Sequence, residues 1–250
     1  ATRGLFPTDG LFPVSPTQDT IGLLTRSAED AAFAYGILTR QFPRPAASKV
    51  LWLGRPTSHF FDNLDPVVSE CVETALTYLE RARGQIAPVA LPEIAEMVGP
   101  DSTFRYLVPT EILAGLGRRW FLANRDQMDV LAAERISTGL DVPADVYVRL
   151  RRRLPELRCA IYPRFVGLDG WVLPTVKRLA PPLAEVETPA GHREYTRTML
   201  YNSKPANLLG LCAVSLPIHH LGAAHLPVGL QIVRRCGEDS ALLVLRFQRS

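Results

Sequence analysis

The segment from Phe12 to Ala32, FPVSPTQDTIGLLTRSAEDAA, constrains the fold more than any other part of the chain. Pro13 and Pro16 fix the backbone φ angle and cannot donate a backbone hydrogen bond. A residue that precedes a proline is also driven toward extended conformations. The segment therefore predicts an extended loop with a pinned backbone through Ser15 and Thr17. A loop of this kind is suited to form the wall of a site.

A turn and a helix start are predicted directly after this loop. Gly22 permits a tight turn, across which the Asp19 carboxylate and the Arg26 guanidinium can pair. Ser27 is a typical N-cap residue, and Asp30 falls in the acidic first turn of the helix that would follow. We expect this helix to bury Ala31, Ala32, Tyr35 and Leu38.

The same string resembles a segment of the amidase signature family, written Ser/Ala-x-Ser-x-Asp-x-x-Gly-x-x-x-Arg-Ser/Thr-x-x-Asp-Ala-Ala. In that family the segment lies shortly after the loop that bears the nucleophile. Thr17 stands in place of the second serine. The matching positions are Ser15, Asp19, Gly22, Arg26, Ser27, Asp30, Ala31 and Ala32.

The resemblance implies an enzyme that hydrolyses a carboxylic amide to the acid and ammonia or an amine. Family members use a serine, a second serine in a cis peptide and a lysine, all placed upstream of this segment. The chain starts with Ala1-Thr-Arg-Gly4, which resembles the Lys-Pro-Thr-x-Gly that follows the nucleophile. We therefore expect the C-terminal part, about half, of an amidase, without catalytic residues and inactive alone. Its partner would be the N-terminal half, as a separate chain or as a further segment.

The rest of the chain predicts an α/β fold with a mixed sheet covered by helices on both faces. All of residues 1–250 would belong to one domain, the C-terminal part of an amidase signature domain. Residues 102–168 are helical in character and resemble the variable edge of the family's cleft. Strands are predicted at 49–54, 85–91, 169–176, 212–218 and 228–233, and helices from Asp65 to about Arg83 and over 195–210.

Site residues follow from the resemblance, since the pinned loop lies close in sequence to the nucleophile region. The substrate-binding candidates, which line or buttress the cleft, are Ser15, Thr17, Asp19, Asn202 and Ser203; the candidates for structural support are Gly22, Arg26 and Asn207. Two simpler roles stay open. Asp19 and Arg26 could be a buried ion pair that holds the turn, and Asn207 could cap a helix or tie strands together.

Leu200 bears on the choice of substrate. In the glutamine-hydrolysing members, the A-type amidotransferase subunits, an Asp seven residues before the helix asparagine contacts the amino group of the amino acid. Leu200 occupies that position, which disfavours a free α-ammonium and favours a neutral or apolar amide as the small-molecule substrate. A non-catalytic scaffold or binding subunit of the same fold also stays open, as does an unrelated α/β enzyme.

Charge and hydropathy exclude several kinds of partner. Lysine and arginine number 28 and the acidic residues 25, which gives a formal charge of only +3. The run Arg151–Arg153 predicts a solvated helix face without interleaved aromatic residues, so no nucleic acid is expected. No apolar run is long enough to cross a bilayer, so no membrane partner is expected. We expect a cytoplasmic protein and leave a homo-oligomer open.

Neither a metal nor a cofactor is expected. The histidines at 219, 220 and 225 have no carboxylate or cysteine at ligand spacing, which indicates a polar loop. A Ser-His-Asp triad is also disfavoured, because no Gly-x-Ser-x-Gly motif is present. The cysteines lie far apart in apolar contexts and predict reduced, buried thiols rather than disulfides or zinc ligands. They are Cys71, Cys159, Cys212 and Cys236.

Overall fold

The computed structural model describes residues 1–43, 50–99 and 101–244 and has a five-stranded mixed sheet at its centre. Its order is β2-β1-β3-β5-β4, with β1 parallel to β2 and β3, and β5 antiparallel to β3 and β4. All five predicted strands are present, although Lys49, where the first was expected to begin, lies outside the described residues. The strands are β1 (Leu51–Pro56), β2 (Gly84–Val89), β3 (Gly170–Pro174), β4 (Cys212–Pro217) and β5 (Gly229–Arg234).

The helices surround this sheet. No helix within the described ranges is both long and apolar enough to span a membrane. Short 3-10 helices lie at Thr103–Tyr106, Arg125–Gln127, Tyr162–Phe165 and His219–Leu221. The α-helices are α1 (Ala28–Thr39), α2 (Pro66–Arg81), α3 (Glu93–Val98), α4 (Leu107–Leu116), α5 (Arg118–Asn124), α6 (Val130–Ser137), α7 (Ala144–Ile161), α8 (Leu183–Val186), α9 (Pro189–Met199), α10 (Ser203–Leu209) and α11 (Asp239–Leu242).

The unit β1-α2-β2 forms as its sequence pattern predicts. The Asp65 carboxylate accepts a hydrogen bond from the Val67 N–H, and Pro66 occupies the first turn, where its missing N–H costs nothing. Apolar residues at three- and four-residue intervals then form one stripe, which packs into the core. All six of them are buried: Val68, Cys71, Val72, Ala75, Leu76 and Leu79.

Two core clusters lie on opposite faces of the sheet. Trp171 and Leu173 of β3 belong to one cluster, together with α3, α7 and α10. Val172, between them, belongs to the other cluster, together with α2 and α11. Because successive side chains of a strand point to opposite faces, helices cover the sheet on both sides. The predicted α/β class is confirmed.

Residues 102–168 are helical, as expected. The turn at 138–143 separates α6 from α7. Leu150, Leu154, Leu157 and Ile161 of α7 are buried in the main core. Tyr147, which falls in the same series, is only partly buried because its hydroxyl reaches a polar partner described below.

The predicted helix over 195–210 is broken into α9 and α10. The break lies at residues 200–202, where Asn202 turns its side chain inward to bind two backbone carbonyl groups. The stretch before it, expected to be a flexible loop through Gly191, instead contains α8 and the start of α9. Thr188 caps α9 by accepting a hydrogen bond from the Gly191 N–H.

Helix α1 begins as predicted but buries fewer residues than expected. The Ser27 hydroxyl oxygen accepts a hydrogen bond of 3.0 Å from the Asp30 N–H. Tyr35 is buried and meets Phe6 edge to face. Leu38, however, is 58% exposed, so its predicted burial is wrong. Residues 31–38 contain no charged side chain, so apolar groups face every direction around the helix and the described chain covers only one side.

Candidate functional site

A buried carboxylate on α4, that of Glu111, holds the segment Ser15–Asp19, called here the Ser15 loop. Only 6% of Glu111 is exposed, and Ser15 and Thr17 are buried as well. The Glu111 Oε2 atom accepts hydrogen bonds from the Ser15 hydroxyl at 2.6 Å, the Thr17 hydroxyl at 2.8 Å and the Thr17 N–H at 3.1 Å. Both hydroxyl hydrogens of the predicted site wall therefore point to Glu111.

The other oxygen of Glu111 faces α7. Its Oε1 atom accepts a hydrogen bond from the Tyr147 hydroxyl at 2.9 Å and lies 3.4 Å from Nη1 of the half-exposed Arg151. Burial alone would raise the pKa of Glu111. The hydrogen bonds from Ser15, Thr17 and Tyr147 outweigh that effect and hold the pKa below its usual value. The carboxylate is therefore kept ionised where it is buried.

Asp19 closes the Ser15 loop on itself. Its carboxylate accepts hydrogen bonds from the Val14 N–H at 3.0 Å and from the Ser15 N–H at 2.9 and 3.0 Å to its two oxygens. The Ser15 carbonyl accepts from the N–H groups of Gln18 and Asp19 at 2.8 and 2.7 Å. The tight turn of this segment thus lies within the loop itself.

Two expectations about the residues after the loop are wrong. Arg26 is exposed and makes no ion pair with Asp19, because the Asp19 carboxylate is occupied by backbone N–H groups. Gly22 lies in an irregular segment rather than a tight turn, and a Cβ atom there would meet no neighbour. The roles of Gly22 and Arg26 in supporting a site stay predictions.

Two long-range hydrogen bonds fix the carbonyl groups of the Ser15 loop. The Asn207 Nδ2 group donates to the Gln18 carbonyl at 2.9 Å, and the Arg3 Nη1 group donates to the Thr17 carbonyl at 2.6 Å. Asn207 lies on α10, near the opposite end of the chain from the loop. It therefore connects α10 to the loop rather than tying strands together.

Asn202 is fully buried directly before α10. Its Nδ2 group donates to the Phe60 carbonyl at 3.0 Å and to the Pro174 carbonyl at 2.8 Å. Its Oδ1 atom has no hydrogen-bond partner among the described residues. Asn202 thus joins the segment after β1 to the end of β3, and its predicted contact with substrate stays a prediction.

Leu200 and Ser203 lie beside Asn202 and are more accessible. The Leu200 side chain is 44% exposed, and the Ser203 hydroxyl lies 3.5 Å from the Leu200 carbonyl, a weak contact. No hydrogen bond within the described ranges joins Asn202 or Ser203 to the Ser15 loop. The hydrogen bond from this region to the loop is made by Asn207 of α10.

A stack of three side chains supports the α9–α10 junction. The His59 ring stacks on Tyr201 with centroids 4.0 Å apart, and the Lys177 Nζ atom lies 3.8 Å from the Tyr201 centroid. The two must lie on opposite faces of Tyr201, since one face cannot hold both at these distances. Lys177 also donates to the Asp62 carbonyl at 2.7 Å. His59 Nε2 lies 3.0 Å from the Tyr201 carbonyl, which only accepts, so Nε2 carries the hydrogen.

The cysteines and histidines form no metal site among the described residues. Cys71 and Cys212 are buried, and burial raises the pKa of Cys212 to about 12. Cys159 and Cys236 are exposed, so the expectation that all four thiols are buried is wrong for these two. Cys159 lies on the exposed face of α7 and Cys236 in the turn after β5, which an apolar sequence context does not reveal.

The Arg151–Arg153 run is only partly a solvated face. Arg151 approaches Glu111, as described above. Arg153 pairs with Glu96 at 2.8 Å and with Glu156 at 2.8 Å. The run therefore connects α7 to α3 and α4.

Glu111 was not among the predicted site residues, although the sequence contains a signal for it. It is the only charged residue in Leu107–Leu116, LVPTEILAGL. A charged side chain within an apolar helix is buried only at a cost, unless polar partners compensate it. The isolated acid could therefore have been marked as a residue with buried partners, but its partners could not have been named.

Comparison with known proteins extends this description. Residues 1–243 match the model of the family described as Amidase. An indoleacetamide hydrolase of Allorhizobium ampelinum is 34% identical over 263 residues, covering 98% of this chain and 56% of the relative. A 2-amino-5-chloromuconic acid deaminase of Comamonas testosteroni is 31% identical over 239 residues, covering 93% and 51%. The chain spans about half the length of the curated relatives it matches.

A crystal structure of an amidase superposes with a TM-score of 0.82 at 27% identity, covering 98% of this chain and 55% of that one. The helix-covered mixed sheet therefore defines an α/β protein with the architecture of an amidase. The chain belongs to the amidase signature family.

Proposed function

We propose that this chain is the C-terminal part of an amidase that hydrolyses a carboxylic amide to the acid and ammonia or an amine. The family match over residues 1–243, at about half the length of the relatives, carries this proposal. A serine, a second serine in a cis peptide and a lysine would come from an N-terminal half. The serine attacks the amide carbonyl while the lysine takes its proton through the second serine. The C–N bond breaks, the ammonia or amine leaves with that proton, and water then hydrolyses the acyl-serine to release the acid and restore the serine.

The Ser15 loop would form one wall of the cleft. Ser15 and Thr17 buttress this wall, since both hydroxyl hydrogens are donated to Glu111. Asp19 shapes the loop, and Asn207 attaches it to α10. Asn202 and Ser203 would approach the substrate from the α10 side. Residues 1–250 and the N-terminal half would together form one domain.

The exposed side of α1 supports a covalent or separate N-terminal half as the partner. Phe33 is 64% and Ile37 57% exposed, and they lie one helical turn apart on the same side of α1. Phe42 folds back against Gly36 and meets the Phe33 ring at 6.4 Å between centroids. An apolar helix face of this kind needs a covering element, and the absent half of the relatives' length would supply one.

The substrate would be an amide without an α-ammonium group. Leu200 offers no charge to such a group where the amidotransferase subunits have an Asp, which disfavours glutamine. The name of the Allorhizobium relative specifies indoleacetamide, a neutral aromatic amide, which agrees with an apolar side chain at this position. A cytoplasmic location and the absence of a cofactor stay predictions, and self-association stays open.

Reconstitution tests the proposed function. The chain is mixed with an N-terminal half that contains the serines and the lysine, and release of ammonia from indoleacetamide and from glutamine is measured. We expect release from the neutral amide only in the mixture. A stable complex that is inert toward a panel of neutral amides, with the serines and the lysine intact, would instead favour a scaffold.

A further inference from the structure

We infer that Glu111 is a positioning residue, which sets the place of the Ser15 loop relative to the helical region. The effect of this role on catalysis rests on the proposed function. Glu111 connects two separate parts of the chain. Oε2 receives three donors from Ser15 and Thr17, and Oε1 receives donors from Tyr147 and Arg151 on α7. Through one carboxylate, a shift of α4 or α7 becomes a shift of the cleft wall.

Polar contacts, rather than apolar packing, hold this loop. Pro13, Val14 and Pro16 are exposed, and the two buried residues of the segment are Ser15 and Thr17, which bind Glu111. With so little apolar surface buried, the position of the loop depends on its hydrogen bonds. Among these, the bonds to a buried anion are the strongest class.

The role requires the ionised form of Glu111. A carboxylate only accepts hydrogen bonds, and every described partner of its two oxygens is a donor. A protonated acid or an amide would place hydrogens against some of these donors. Glu111→Gln is therefore nearly isosteric but reverses the hydrogen-bonding character at one of the two positions.

The first test is hydrogen exchange at the loop's backbone amides, measured on the 250-residue chain without substrate. The residues with an amide hydrogen are Val14, Ser15, Thr17, Gln18 and Asp19, since Pro16 has none. We expect Glu111→Gln to speed exchange at these amides by about tenfold or more, since a hydrogen bond to a charge of this strength is lost. Exchange in β1 and β3 should stay unchanged. The matched control is Glu156→Gln, which removes an exposed acid of α7 that pairs with Arg153.

Two further measurements separate positioning from general stability. Protection of the Thr17 amide, which donates to Glu111, should decline in the wild type as the pH falls below the usual range of glutamate. In Glu111→Gln this decline should be smaller, because only the Asp19 carboxylate, which binds the Val14 and Ser15 N–H groups, still titrates within the loop. Tyr147→Phe, which removes one donor and leaves Ser15 and Thr17 in contact, should loosen the loop by a smaller factor, roughly threefold. This milder variant keeps the test available where Glu111→Gln fails to fold.

The effect of Glu111→Gln on catalysis is measured in the reconstituted amidase. Glu111→Gln should lower kcat about tenfold or more with a smaller change in KM, because a displaced wall alters alignment more than binding. The role of Glu111 would be overturned if the loop amides of Glu111→Gln exchanged at the wild-type rate. It would also be overturned if exchange sped up equally in the loop and in the core strands. A reconstituted protein that releases no ammonia overturns the proposed function instead, and leaves the exchange result standing by itself.

Discussion

The Ser15 hydroxyl donates a hydrogen bond of 2.6 Å to the Oε2 atom of Glu111, a residue 96 positions further along the chain. This contact joins the loop after the expected nucleophile region to the helical part of the protein. It also explains why two buried hydroxyl groups can lie in a segment with little apolar cover. Both have an ionised partner, which offsets the cost of removing them from water.

The folded chain should lose stability as the pH falls from about 6.5 to about 4. Burial lowers the pKa of His59 from 6.5 to about 4 in the folded protein, so the unfolded ring takes up its proton first. The stabilising contribution is complete above pH 6.5, declines between these values and is lost as the pH falls through 4. A shift of this size corresponds to about 3 kcal/mol.

Urea unfolding at pH 7 and pH 4.5 measures this loss. His59 has a φ angle of 69°, a conformation that asparagine adopts readily, so His59→Asn removes the titrating ring without backbone strain. The variant should be less stable at pH 7 but should show a smaller difference between the two pH values. The same difference in both proteins would contradict the assignment to His59.

Asn202→Ala should destabilise the chain by about 3 kcal/mol, since it leaves two carbonyl groups without their donor in a fully buried position. Chemical denaturation gives the value. The control is Asn124→Ala, which removes one exposed hydrogen bond to the Trp120 carbonyl and should cost about 0.5 kcal/mol or less. Equal losses for the two variants would show that Asn202 does not join the two segments.

Two of the four thiols should react rapidly with a thiol reagent in the folded chain. Cys159 and Cys236 are exposed, whereas Cys71 and Cys212 are buried and should react only after unfolding. The raised pKa of Cys212 further suppresses its thiolate. A variant with both Cys159→Ser and Cys236→Ser should show no rapid reaction, and any rapid labelling that it retains would refute the burial of the other two.

The exposed side of α1 should contribute to binding of the N-terminal half but not to the stability of the isolated chain. Phe33→Gln combined with Ile37→Gln removes two exposed apolar side chains, so the stability of the isolated chain should change by about 1 kcal/mol or less. Binding to the N-terminal half, measured by calorimetry, should weaken at least about tenfold. Leu183→Gln, at a residue that is 79% exposed outside α1, is the control and should leave binding unaltered.

Local patterns in the sequence predicted the five strands and the helices α1 and α2, but not α8 or the division of the last predicted helix into α9 and α10. The stripe on α2 and the caps at Ser27 and Asp65 depend on neighbouring residues only, and they form as predicted. The end of the helix before α10 was not predictable in this way. It depends on Asn202 binding the Phe60 carbonyl, 142 positions away, which no local pattern contains.

The motif residues of the candidate site lie together in one loop, but the hydrogen-bond partners of this loop were not predicted. The motif indicated Ser15, Thr17 and Asp19. The prolines predicted an extended loop, whereas the Ser15 carbonyl accepts from the Gln18 and Asp19 N–H groups and closes a turn there. Asp19 was paired with Arg26 because the two are close in sequence, whereas nearer backbone N–H groups satisfy its carboxylate. Glu111 stands out in the sequence as the one charged residue of α4, but its partners could be named only once α4 and the loop were placed together in space.

Ammonia release after mixing the chain with its N-terminal half decides whether these residues belong to an amidase. We predict release from a neutral amide such as indoleacetamide by the mixture, and none from either half alone. Release by the 250-residue chain alone, or a stable complex with intact serines and lysine that is inert toward every amide offered, would contradict this proposal.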